Sequence, residues 1–214
     1  YNFPENCLCG AKTKKEISSS TNKEDAIRRC LRGYDCSFIA KEKLKHIVSK
    51  EAFNIEGLGK KVIDQFWDLK LVKVPSDIFN LNYQKIKNLE GWGDLSIKNL
   101  KKAINDGKTI SLNRFIYSIG IRHIGQENAK ILSNFFKSIN KFTVLFDQRK
   151  RKEILNSLGD LDGIGGTQIQ SIDLFFSNQK NVDVVKSLIK FLKIEDFKMS
   201  NQKGKFRNKN IMFT

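Results

Sequence analysis

The sequence predicts an almost wholly α-helical protein with a small metal-dependent unit at its N-terminus. Three observations carry that prediction: apolar residues recurring at spacings of three and four, a glycine-turn element repeated in phase, and the confinement of every cysteine to the first 36 residues.

Residues 1 to 36 hold Cys7, Cys9, Cys30 and Cys36 together with Gly10, Gly33 and the polar run Ser18 to Asn22, and they contain too few large apolar residues to build a core. Clustered cysteines in a chain expected to be cytosolic point to a metal rather than to disulfides. Cys30 and Cys36 are separated by five residues that include Gly33, which lets both thiolates face one ion. Cys7 and Cys9 enclose a single residue, a tighter loop than the two to four usual in a structural zinc site. A four-cysteine zinc site is the favoured reading, against partial or absent metal binding. His46 stands as a reserve ligand if Cys7 and Cys9 do not both reach the ion; otherwise it reads as a partly buried helix histidine.

From Ile39 onward the pattern is helical. Leu44, Ile47 and Val48 form one stripe, and Val62, Ile63 and Phe66 a second. Further stripes are Leu95, Ile97, Leu100 and Ile104; Ala129, Ile131, Leu132, Phe135 and Phe136; and Ile169, Ile172, Phe175 and Phe176. Pro75 with Ser76 and Asp77 opens a short helix. From Lys193 to Lys209 the chain turns polar and basic, as a flexible linker would, and Ile211 to Thr214 reads as a strand cut off in mid-fold. With Tyr1 at its start, the chain is expected to be a piece of something larger.

Within the helical region a single turn recurs, as Ile55-Glu56-Gly57-Leu58-Gly59, Leu89-Glu90-Gly91-Trp92-Gly93 and Leu161-Asp162-Gly163-Ile164-Gly165, each followed by an apolar helix. A fourth copy, Arg122-His123-Ile124-Gly125, has His123 at the place of the first glycine. The second glycines fall at 59, 93, 125 and 165, and four residues beyond each stands Ile63, Ile97, Ala129 or Ile169.

A Gly-apolar-Gly turn entering a helix has a mechanical use. Without Cβ atoms the backbone can take unusual dihedrals and approach another chain closely, while the first N–H groups of the next helix are unsatisfied and electropositive. Together these bind phosphate oxygens, which gives position and affinity without reading base sequence. One such copy is more often a packing turn that ends a helix. Four copies in phase, in a chain of net charge +16 and pI near 9.7, favour a polyanionic partner. The bland reading of the charge is lysine-rich solubility. Two pairs of turns would track the two strands of a duplex, with Lys60, Lys61, Lys98, Arg122 and Lys130 adding diffuse attraction; singly, each of these is more often a solvated helix face. Trp92 reads as a core residue more readily than as a sugar contact, because it shares the repeat's apolar position with Leu58, Ile124 and Ile164. No run of about 18 apolar residues occurs, so a soluble, cytoplasmic protein is expected.

The stretch Phe3-Pro4-Glu5-Asn6-Cys7-Leu8-Cys9-Gly10, then Arg29-Cys30, Cys36 and Leu44-Lys45-His46, resembles the zinc finger of bacterial NAD-dependent DNA ligases. Directly after it, Ala52-Phe53-Asn54-Ile55-Glu56-Gly57-Leu58-Gly59 is similar to that family's entry into its helix-hairpin-helix domain. Glu90-Gly91-Trp92-Gly93 with Ser96, and the block from Arg114 to Gly125, match further. Lys205 to Thr214 looks like the first strand of the BRCT domain that follows in the family. The resemblance covers essentially the whole sequence, in the family's order. It departs in the single residue between Cys7 and Cys9, where the family has two, and in Ser37-Phe38-Ile39, which replaces a typical Pro-Ala-Gln.

The resemblance implies a mostly α chain: a four-cysteine zinc finger over residues 1–38, a domain of four helix-hairpin-helix motifs over 39–192, a basic linker over 193–204 and a truncated BRCT strand over 205–214. It implies zinc on Cys7, Cys9, Cys30 and Cys36, and DNA contacts from Gly57, Gly59, Lys60, Gly91, Gly93, Arg122, His123, Gly125, Gly163 and Gly165. Nicked double-stranded DNA and the remaining ligase domains are the implied partners, with the protein monomeric. The family's adenylated lysine lies in a Lys-x-Asp-Gly motif, and Asp162-Gly163 here follows Gly159-Asp160-Leu161. Catalytic residues, NAD and magnesium are therefore expected only in the complete ligase. Two other classes compete: a helix-hairpin-helix glycosylase or lyase, with Asp94 and Lys98 near one turn, and a stand-alone, non-catalytic DNA-binding protein.

Overall fold

The computed structural model describes residues 2–17 and 23–198. The polar run Ser18 to Asn22, the later stretch of the expected linker and the expected strand at 205–214 lie outside the described residues.

The N-terminal unit is an antiparallel hairpin of β1 (Thr13–Ile17) and β2 (Glu24–Cys30), with Thr13 opposite Cys30. Polar contacts do there what a core does elsewhere. Thr13 Oγ1 donates to the Pro4 carbonyl (2.7 Å), and the Arg28 guanidinium donates to Thr13 Oγ1 (3.1 Å) and to its carbonyl (3.0 Å). A short 3-10 turn at Gly33–Asp35 leads into α1 (Ser37–Ile47), whose N-cap residue is Cys36. The cysteine unit and the helical region thus meet at a shared residue, just before the helical stripe becomes legible at Ile39.

Ten further helices follow among the described residues: α2 (Lys60–Asp68), α3 (Pro75–Ile78), α4 (Tyr83–Lys87), α5 (Asp94–Gly107), α6 (Leu112–Ser118), α7 (Gln126–Phe136), α8 (Ile139–Phe142), α9 (Gln148–Gly159), α10 (Gly166–Ser177) and α11 (Gln179–Ile189). The mostly α expectation holds. Pro75 takes the first position of α3, and the Asp77 carboxylate accepts the amides of Lys73 (2.8 Å) and Val74 (3.0 Å) ahead of it. The stripes converge on one continuous core in which Phe66, Phe115 and Phe142 are fully buried, each such ring contributing about 1.5–3 kcal/mol. Leu95 leaves its stripe and is exposed, because Ile97, Leu100 and Ile104 already fill the inward face and Leu95 lies two residues off their spacing.

One expectation is corrected at the C-terminal side. Lys193–Glu195, placed in the linker, forms β4 and pairs in parallel with β3 (Thr109–Ser111). The Phe197 amide also donates to the Lys137 carbonyl (2.8 Å). Three residues are too few to show a strand period, and the pairing arises only where the α5–α6 connection offers an open edge. No helix among the described residues is long and apolar enough to cross a membrane.

Candidate nucleic-acid interface and metal centre

The four glycine turns have one backbone form. In each, the apolar residue's amide donates three positions back: Leu58 to Ile55 (3.2 Å), Trp92 to Leu89 (3.1 Å), Ile124 to Ile121 (3.2 Å) and Ile164 to Leu161 (3.1 Å). The residue before each donor is left-handed, with φ of +85° at Gly57, +83° at Gly91, +59° at His123 and +86° at Gly163. His123 therefore adopts the glycine conformation, at the cost that a Cβ carries there. The apolar residue is the anchor: Leu58, Ile124 and Ile164 are buried, and Trp92 packs on the core with its ring 5.4 Å from that of Phe66.

Gly59, Gly93, Gly125 and Gly165 are the extended N-cap residues of α2, α5, α7 and α10, and each accepts the amide four residues on. The next amides have no intrahelical acceptor. At Gly59 (φ −71°) and Gly93 (φ −85°) any residue could adopt the backbone, and an added Cβ would meet nothing within 4 Å. Neither strain nor internal packing asks for glycine there.

The turns associate in two pairs. The first lies against α5, with the Gly57 Cβ position 3.9 Å from Leu100. In the second pair, Asn128 on α7 accepts the Gly125 amide (3.3 Å) and donates to the Gly163 carbonyl (2.8 Å), tying the third turn to the fourth. This bridging asparagine was not singled out in the sequence, where it is one polar residue in a first turn.

Lys60, Lys61 and Lys98 are exposed beside these turns. Lys130 is engaged with Glu127 (2.6 Å), and Asp94 is an exposed first-turn carboxylate paired with Lys87 (2.6 Å). Arg122 departs from a simple basic contact: its guanidinium lies 3.5 Å from Asp25 on β2, and its Nε donates to His123 Nε2 (2.8 Å).

All four cysteine sulfurs lie within 4.8 Å of one another, with Cys7 to Cys36 at 3.8 Å and Cys9 to Cys30 at 3.7 Å. A tetrahedral zinc with Zn–S near 2.3 Å sets adjacent sulfurs about 3.8 Å apart, so the donor set fits a metal ion of that size. The close Cys7/Cys9 spacing is accommodated by a tight turn in which the Gly10 amide donates to the Cys7 carbonyl (2.8 Å), with Gly10 at φ +83°. The Ala11 amide holds the Cys9 thiol down at about 7, whereas burial pushes Cys30 up to about 12 and Cys36 upward. Loading the site displaces those protons. His46 is no ligand here: it donates from Nε2 to the Tyr117 carbonyl (3.0 Å) and stacks edge-on against that ring. Beside it Lys43 donates to the Gly120 carbonyl (2.9 Å) between the rings of Tyr34 and Phe175, and burial pulls its amine down to about 8.

Residues 114–185, which contain the third and fourth turns, match the helix-hairpin-helix motif family. Over 214 aligned residues the chain is 50% identical to the DNA ligase of Pelagibacter ubique (strain HTCC1062), covering 99% of this chain and 31% of that protein. It is 39% identical over 199 residues to the DNA ligase of Rickettsia bellii (strain RML369-C), covering 89% of this chain and 29% of the relative. Against the DNA ligase of Azorhizobium caulinodans it is 35% identical over 242 residues, covering all of this chain and 33% of that protein. The chain is thus similar over 89–100% of its own length to these DNA ligases, holds a helix-hairpin-helix match, and spans about a third of the length of the relatives it matches.

Proposed function

We propose that this segment grips duplex DNA without reading its sequence, as the DNA-holding portion of an NAD-dependent ligase that seals nicks during replication and repair in the cytoplasm. The observation that carries this reading is the fourfold turn, whose N-cap glycines at 59 and 93 answer to nothing inside the chain, in a protein of charge +16. Amides at Gly57, Gly59, Gly91, Gly93 and Gly163, and the first-turn amides that follow Gly125 and Gly165, whose own N–H groups go to Asn128 and Gln168, take phosphate oxygens, helped by Lys60, Arg122 and His123. Zinc on Cys7, Cys9, Cys30 and Cys36 supplies the core that this unit lacks. Nicked duplex and the remaining ligase domains are its partners, and the protein acts as a monomer. AMP transfer, with NAD and magnesium, belongs to those other domains, because the chain holds no Lys-x-Asp-Gly nucleophile.

Titration of the chain against unrelated duplexes of equal length should give equal affinities that fall steeply with salt, by about 0.9 of a counterion for each phosphate neutralised. Strong discrimination between duplexes, or indifference to salt, overturns the reading. Incubated with NAD and nicked DNA, the chain should form no covalent AMP adduct and join no ends.

A further inference from the structure

The corner between α6 and α7 is the one of the four turns that carries a side chain, His123, where the others present bare backbone. It holds a second left-handed residue, Gly120 at φ +66°, so its path is set by what grips it. Three tethers do so. His46 donates to the Tyr117 carbonyl (3.0 Å) and Lys43 to the Gly120 carbonyl (2.9 Å), both from α1; Asp25 on β2 faces the Arg122 guanidinium at 3.5 Å. The cysteine cluster joins the origins of these tethers, because Cys36 caps α1 and Cys30 ends β2. Asp25 is itself oriented by Arg29 (2.7 Å), the neighbour of Cys30. Arg122 in turn donates to His123 Nε2 (2.8 Å), so the direction of the imidazole follows that of the guanidinium.

We propose that Asp25 is a positioning residue for the third turn, and that through it the metal-bound cysteine unit holds Arg122 and His123 in place against a bound duplex. This rests on the DNA-gripping reading above. The role predicts an effect opposite in sign to bulk electrostatics. Neutralising an acid on a surface that meets a polyanion should strengthen binding by simple charge. Removing a tether that aims a cation at a phosphate should weaken it.

The test measures duplex affinity and amide hydrogen exchange over residues 119–125 for the zinc-loaded chain and for Asp25→Asn, Arg122→Ala and the double variant. Metal analysis verifies that zinc content is unchanged. Asp25→Asn should weaken affinity about two- to five-fold, the scale of one exposed ion pair, and should have no such effect in the Arg122→Ala background. Exchange in the corner should quicken in Asp25→Asn, and again when zinc is removed from the wild-type chain. If the wild type binds and Asp25→Asn binds equally or more tightly, or loses as much without Arg122, the role of Asp25 falls while the DNA reading stands. Unchanged exchange over 119–125 on both Asp25→Asn substitution and zinc removal overturns the tether itself. A wild-type chain that binds no duplex overturns the reading underneath.

Discussion

Gly59 and Gly163 sit in turns of the same form but answer to different constraints. At Gly163 the constraint is internal: φ is +86°, and an added Cβ would come within 2.6 Å of Ile131 on α7. Gly163→Ala should therefore destabilise the fold by about 1–2 kcal/mol, chiefly through left-handed strain, with the Ile131 side-chain tip having to swing aside. At Gly59 nothing internal requires glycine, since the backbone is ordinary and the space around it open, and the proposed reading assigns it to close approach by DNA. Gly59→Ser places a strong N-cap residue there, and its stability should stay within about 0.5 kcal/mol of wild type while duplex affinity falls. Thermal melting and DNA titration of the two variants separate these outcomes. A Gly59→Ser chain that binds as tightly as wild type would show that close approach is not what this glycine provides.

At the scale of elements, Lys43 is where the cysteine unit, α1, the α6–α7 corner and α10 meet. Its burial brings a titration into view. The folded amine is pulled from its ordinary 10.5 down to about 8, so between those values the unfolded chain holds a proton that the folded chain has released. Stability then rises with pH across that window, because the state that binds more protons is the one being disfavoured. Below pH 8 both states are protonated and the penalty of burying the charge is present in full. Denaturant melts at several pH values should show wild-type stability climbing from about pH 8 to 10.5 relative to Lys43→Met, which lacks the titrating group. A difference between the two that stays flat would mean that the amine remains hydrated and ordinary.

For the whole molecule, stability comes from two sources that metal removal should separate. The helical region shares a continuous core that includes Phe66, Phe115 and Phe142, whereas residues 2–17 and 23–36 are held by the β1–β2 pairing, by contacts to Thr13 and by the cysteine cluster. Chelation of the zinc-loaded chain should melt the hairpin and leave most of the helical circular dichroism intact. Cooperative loss of all helix on chelation would instead make the cysteine unit integral to the core.

The mostly helical fold, the turn repeat and the cysteine cluster were legible from residue order, because each is a local or periodic pattern. The repeat even located a left-handed position at His123, since it is defined by the phase of its neighbours and not by the glycine that is missing. The sequence favoured Cys7 and Cys9 on one ion despite their close spacing; what it did not show is how that spacing is accommodated, which is the turn at Gly10. Tertiary structure alone decided which turns pair, through Asn128 and through Gly163 against Ile131. It also decided that Lys193–Glu195 is a strand, that Leu95 faces outward and that Asp25 meets Arg122. A period along the chain shows which face of a helix is apolar. Which distant face or charge it meets depends on how all the elements pack at once, and a single charged residue carries no mark of its partner.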